Sequence, residues 1–130
     1  MKVKKVLIMK SYRDLEVYSE SYALALEVHK LSLKLPKHEL YETGSQVRRS
    51  SKGIPANIAE GYGRKRYKSE FIRFLIFAHS SCDETIVHLS FIRDLYENLE
   101  DETDKLIEKY TELSKKIYKF IEYVVKEWKV

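Results

Sequence analysis

Gln46-Val47-Arg48-Arg49-Ser50-Ser51-Lys52-Gly53-Ile54-Pro55-Ala56-Asn57-Ile58-Ala59-Glu60-Gly61-Tyr62-Gly63-Arg64 carries two patterns at once. At about 100° per residue, Val47, Ser51, Ile54 and Ile58 fall within one narrow stripe, the spacing of an amphipathic helix. Gln46, Arg49, Gly53, Asn57 and Glu60 fall on a second strip. Arg48 and Lys52 fall on a third face, expected to be wet. Pro55 has no N–H to offer the Ser51 carbonyl, so a kink or local loosening is expected there, with Asn57 capping a nearby backbone group. Gly61 and Gly63 are expected to stop the helix.

Charge is concentrated around the same stretch. Between Gly44 and Arg73 stand eight Lys or Arg (Arg48, Arg49, Lys52, Arg64, Lys65, Arg66, Lys68, Arg73) against two acids, Glu60 and Glu70, a local balance of +6. The whole chain carries only +4, so the remainder sums to −2. A nearly neutral body with one basic segment points to an anionic partner, above all nucleic acid. Tyr62 and Tyr67 interleave with Arg64, Lys65, Arg66 and Lys68, the composition that stacks on unpaired bases.

Outward from this segment the chain reads as helix on both sides. Residues 14–35 place Leu15, Tyr18, Tyr22, Leu26, His29 and Leu33 at three- and four-residue spacing, and Pro36 ends the run. A third helix opening near Ser69 carries Phe71, Phe74, Leu75, Ala78, Cys82, Thr85, Leu89 and Ile92. A fourth, from about Glu102, carries Leu106, Tyr110, Leu113, Ile117, Phe120, Ile121, Val124 and Trp128, with acids at its start and lysines at its end as the helix dipole favours. Four amphipathic helices on short connections predict an all-α, antiparallel up-and-down four-helix bundle over residues 14–130. Residues 1–13 read as an N-terminal arm, because the apolar run Val6–Met9 is too short for a secretory signal.

Composition agrees. With 130 residues, four Gly and two Pro, the chain suits one helical domain. One cysteine, Cys82, permits no internal disulfide, which fits a reducing cytoplasm, and no run approaches the roughly 18 apolar residues of a bilayer span. In the third helix, Phe77, Phe91 and Leu95 project on a different face from the core stripe, with Ile76 and Val87 beyond. A single bundle core cannot cover both faces, so a homo-oligomer is expected.

Catalytic and metal readings find little support. His79/Asp83 and Glu84/His88 each have i, i+4 spacing, yet the two pairs project about 140° apart. No nucleophile–base order, phosphate-cradling Gly loop or zinc-helix motif occurs. The expectation is a protein without catalytic activity, metal or cofactor. Gln46, Asn57 and Glu60 are expected to form a structural polar network with Ser81 and Glu84 of the third helix, Glu60 neutralising Arg49 or Arg64.

The runs Ser45-Gln46-Val47-Arg48-Arg49, Ile54-Pro55-Ala56-Asn57-Ile58-Ala59-Glu60-Gly61, Gly63-Arg64 and Glu70-Phe71-Ile72-Arg73-Phe74-Leu75, with Ala78, Ser81 and Glu84, resemble the 23S rRNA intervening-sequence protein family. These are small bacterial four-helix-bundle proteins, many encoded inside intervening sequences of large-subunit rRNA genes. The resemblance extends over residues 14–130. It implies a homopentameric ring, no established catalysis and a role in binding nucleic acid, RNA favoured. A related branch, the accessory protein of diversity-generating retroelements, implies a reverse-transcriptase-like partner. The alternative expectation is an assembly scaffold whose ring recruits a protein and binds no nucleic acid itself.

Overall fold

The computed structural model describes residues 10–129 of the chain. Four long helices account for most of it: α1 (Glu16–Ser32), α2 (Thr43–Gly63), α3 (Lys68–Leu95) and α4 (Glu100–Glu127). A one-turn helix, Lys37–Leu40, lies between α1 and α2, and 3-10 turns precede α1 and α4. The described residues contain no strand. None of their helices is long and apolar enough to cross a membrane.

Each long helix packs against two others: α1 on α2 and α4, and α3 on α2 and α4. Their shared interior is filled by Val28 and Leu31 of α1 and Val47, Ile54 and Ile58 of α2. Phe71, Leu75, Ala78, Cys82, Leu89 and Ile92 of α3 meet Tyr110, Leu113, Ile117 and Val124 of α4 there. Each large side chain so buried contributes about 1.5–3 kcal/mol. That outweighs the exposed ion pairs linking α1, or the residues just after it, to α4, Lys116–Glu20, Lys109–Glu27 and Lys34–Glu102, each worth about 0.2–1 kcal/mol. Across the three pairs the first-helix side rises from 20 through 27 to 34 while the α4 side falls from 116 through 109 to 102. The α3–α4 contacts run likewise, from Phe71–Trp128 through Cys82–Tyr110 to Arg93–Asp104.

The core stripes expected for α3 and α4 are the buried ones, apart from Phe74, Ile121 and Trp128, which are partly exposed. Of the stripe expected for the first helix, Leu15 is buried in the core and Tyr18 packs against it, but the rest does not hold. Tyr22, Leu26 and Leu33 face solvent, while Val17, Leu24, Ala25, Val28 and Leu31 face the core beside the buried Ser21 and Ser32. Helix α1 is apolar on two faces, and the one with small residues lets α2 and α4 approach. Tyr110 also departs from expectation: its hydroxyl is buried and has no hydrogen-bond partner among the described residues. Burial drives that phenol's pKa upward.

Gly61 does not stop α2. The helix runs through it to Gly63, and at Gly61 α2 lies close against α3: a Cβ there would lie 2.9 Å from Phe74 Cβ and 3.2 Å from the Phe71 carbonyl oxygen. The helix also continues through the buried Pro55. Of the arm expected over residues 1–13, the first nine lie outside the described residues. Ser11 caps the turn Tyr12–Asp14, and Tyr12 packs edge-on against Tyr18 of α1 at 4.8 Å.

Candidate nucleic-acid interface

The eight basic residues of the central segment divide by what their heads touch. Arg48 does not face water. Its guanidinium folds back over the α1–α2 connection, where Nη1 donates to Ser32 Oγ at 2.8 Å and Nη2 to the Leu40 carbonyl at 2.7 Å. The wet face expected for it is corrected on this geometry. Carbonyls left open at a helix end need a donor, and a forked guanidinium satisfies two acceptors at once.

Arg64 and Arg73 are held by acids. Arg64 lies 3.3 Å from Glu60 and 3.3 Å from Glu70, and Arg73 Nε lies 2.9 Å from the other oxygen of Glu70. Both guanidinium groups also sit over the Phe74 ring, at 4.8 and 4.9 Å. The hydrogen bond from Arg73, with both positive charges, lowers the Glu70 pKa and keeps its carboxylate ionised. The bond raises the Arg73 pKa in return.

Arg49, Lys52, Lys65, Arg66 and Lys68 remain. None of the five makes an ion pair with another described residue. Lys65 places its ammonium 4.1 Å over the Tyr62 ring, leaving its charge uncompensated. Arg49 and Lys52 stand exposed on α2; beyond them Ala56, Ala59 and Gly63, with Glu60 and Arg64, line an open depression of ≈ 470 Å³. Lys65 and Arg66 follow on the connection into α3, and Lys68 is the first residue of that helix. From Lys52 to Gly63 is about 16 Å along the helix axis at ~1.5 Å per residue. Small side chains between two groups of unpaired cations leave room for a sugar-phosphate backbone, to which Arg offers paired donors and Lys a point charge.

The two tyrosines part company. Tyr62 is buried edge-on against Phe71 and Trp128, and burial raises its pKa. Tyr67 is 64% exposed. Only Tyr67 has a free ring face of the kind that stacks on a base.

The polar network expected between α2 and α3 does not form from the residues named for it. Asn57 donates to the Gly53 carbonyl at 2.8 Å, the backbone cap expected near Pro55, and Glu60 pairs with Arg64. Glu84, however, faces outward and sits 3.5 Å from His88, and Gln46 is exposed. Ser81 contributes its carbonyl, which accepts from Thr85 Oγ1 at 2.8 Å. The link between the helices is a pair absent from the expected network: the Thr85 and Ser50 hydroxyls share a hydrogen bond of 2.9 Å in the buried interior. Ser50 lies four residues before Ile54, and Thr85 three after Cys82, so both fall in the stripes, where a hydroxyl needs a partner.

Along residues 13–119 the chain matches the profile of the 23S rRNA-intervening sequence protein. The chain belongs to this family. The matched span takes in α1, α2, α3 and most of α4, and with them every candidate residue named above. No curated protein matches the chain. Family membership fits the four-helix architecture, but the basic surface stands on its own geometry.

No group of three or more His, Cys, Asp or Glu converges among the described residues. His79 lies 4.0 Å from Asp83 and 3.1 Å from Ser114 Oγ. Cys82 is buried, and its thiol pKa is pushed up to about 12, first by burial and then by Asp83. A thiol held protonated in this way is a packing group, not a nucleophile.

Proposed function

We propose that this protein is a non-enzymatic, oligomeric nucleic-acid-binding protein that takes RNA through Arg49, Lys52, Lys65, Arg66 and Lys68. The single observation that carries the reading is the division of charge. Both acids of the segment are consumed by Arg64 and Arg73, which leaves five neighbouring cations for phosphates. RNA is favoured over DNA by the family's association with an rRNA intervening sequence.

The protomer is read as an antiparallel up-and-down bundle, supported by the opposed numbering of the cross-helix contacts. It is read as one unit of a ring in the bacterial cytoplasm, a homopentamer on the family resemblance. Support comes from the outer face of α3, where Ile76, Phe77, Val87, Phe91 and Leu95 are all exposed. Large apolar side chains exposed repeatedly along one helix face in this way mark a subunit contact. Repetition around a ring would multiply the basic surface.

A second reading has its own observation. Tyr18, Tyr22, Ala25 and Leu26 of α1 with Lys52, Pro55, Ala56 and Ala59 of α2 line an apolar groove of ≈ 330 Å³. A scaffold that recruits a protein, such as a reverse-transcriptase-like enzyme, would use such a groove. Binding of a structured RNA to the wild type and to a variant with the five cations replaced by Gln separates the readings. Loss in the variant supports the first. Unchanged binding removes it.

A further inference from the structure

Resting on the nucleic-acid reading, we infer that the α2–α3 connection is a stacking site for an unpaired base, with Tyr67 as its platform, so the ligand is single-stranded or looped RNA. The connection has four residues between α2 and α3, and its backbone is fixed. The Tyr67 N–H donates to the Arg64 carbonyl at 2.8 Å, and the Tyr67 carbonyl accepts from Glu70 and Phe71 at 2.9 and 3.0 Å. The ring projects from that fixed point with 64% of the residue exposed. Lys65, Arg66 and Lys68, all without an acidic partner among the described residues, surround it in sequence. The nearest acids in sequence, Glu60 and Glu70, are engaged by Arg64 and Arg73.

An exposed ring ordinarily loses free energy to water unless something covers it. A base offers a π-face that covers a ring irrespective of sequence, while adjacent phosphates meet the flanking cations. Bases in a duplex are already stacked on one another, and the narrow, deep major groove of RNA admits no side chain. A protruding tyrosine therefore gains on a strand or loop and gains nothing on a duplex. The ring of Tyr62 cannot substitute for it, because it is buried against Phe71 and Trp128.

Fluorescence anisotropy with a 15-nucleotide oligo(U) and with an RNA duplex of the same length, both at several salt concentrations, tests the inference. Tyr67→Phe is expected to keep wild-type affinity for the strand. Tyr67→Leu, which retains bulk but no π-face, is expected to lose roughly ten-fold, about 1.4 kcal/mol, with duplex binding unchanged and the salt slope for the strand retained. Equal loss on strand and duplex, or no loss on the strand, overturns the stacking site. A wild type that binds the duplex alone overturns it too while the nucleic-acid reading stands. A wild type that binds neither overturns both.

Discussion

Glu70 and Arg73 are locked at 2.9 Å one turn apart on α3, and the second oxygen of the same carboxylate reaches Arg64 at 3.3 Å across the α2–α3 connection. One acid thus restrains two of the eight cations. Glu70→Gln is expected to release Arg73, to leave Arg64 held by Glu60 alone, and to remove one negative charge beside the phosphate-binding surface. RNA affinity should rise several-fold at moderate salt, with a steeper dependence on salt concentration. Binding isotherms at four salt concentrations check this. An affinity that falls would show that the pair orders the surface instead of restraining it.

The same pair gives a pH dependence whose sign is fixed. The folded-state pKa of Glu70 is depressed by Arg73 and then by Arg64, so its contribution is complete above the unfolded pKa of Glu and disappears as pH falls through the lower folded value. The side chains are exposed, so the effect on global stability is small. Its local signature is expected in NMR titration of the Glu70 carboxyl, with a midpoint below that of an unperturbed Glu. Glu70 titrating normally would refute the lock.

Arg48 is a structural residue on this account. Its two bonds, to Ser32 Oγ and the Leu40 carbonyl, are each charge-assisted, and losing them is expected to cost about 1.5–3 kcal/mol. Arg48→Gln should lower the urea midpoint accordingly while leaving the salt slope of RNA binding unchanged. Arg66→Gln should do the reverse. A matched change in salt slope for both would return Arg48 to the binding surface.

How much of this was legible in the chain depends on whether one helix alone decided the matter. The core faces of α3 and α4 follow from period because each has one dominant apolar stripe. Helix α1 has two, and choosing the inner one needs the neighbours that Ser21, Ala25 and Ser32 admit. Tyr62 continues the series Val47, Ser51, Ile54, Ile58 by one more turn; its burial was readable once Gly61 was taken as a contact point and not as a stop. Arg48 folding back over a turn, and Glu84 facing outward, depend on how elements cross, which no single-helix projection contains. The basic segment was visible as charge, but its division into bound and unpaired cations required the positions of Glu60 and Glu70.

Close approach at Gly61 predicts a steep penalty for a methyl group. Gly61→Ala would place Cβ 2.9 Å from Phe74 Cβ, and moving α3 away to accommodate it is expected to cost about 1–3 kcal/mol. Gly63→Ala, with nothing within 4 Å of the new Cβ, serves as the control and should be neutral or slightly stabilising. Thermal denaturation of the two variants side by side decides the point.

Buried groups make a further pair of expectations. The unpartnered Tyr110 hydroxyl means that Tyr110→Phe should leave stability unchanged or raise it by up to about 1 kcal/mol. Cys82, its pKa pushed up to about 12, should resist thiol reagents at pH 8 until the protein unfolds. Rapid labelling of native protein would place the thiol at the surface.

The central claim is that unpaired cations of α2 and its following connection hold phosphates, and the salt dependence of RNA binding tests it most directly. Plotted as log affinity against log salt concentration, the wild type is expected to fall linearly. Replacing Arg49, Lys52, Lys65, Arg66 and Lys68 by Gln should flatten the line by about 0.7 for each cation that contacts a single strand. Identical slopes for wild type and variant would contradict the account.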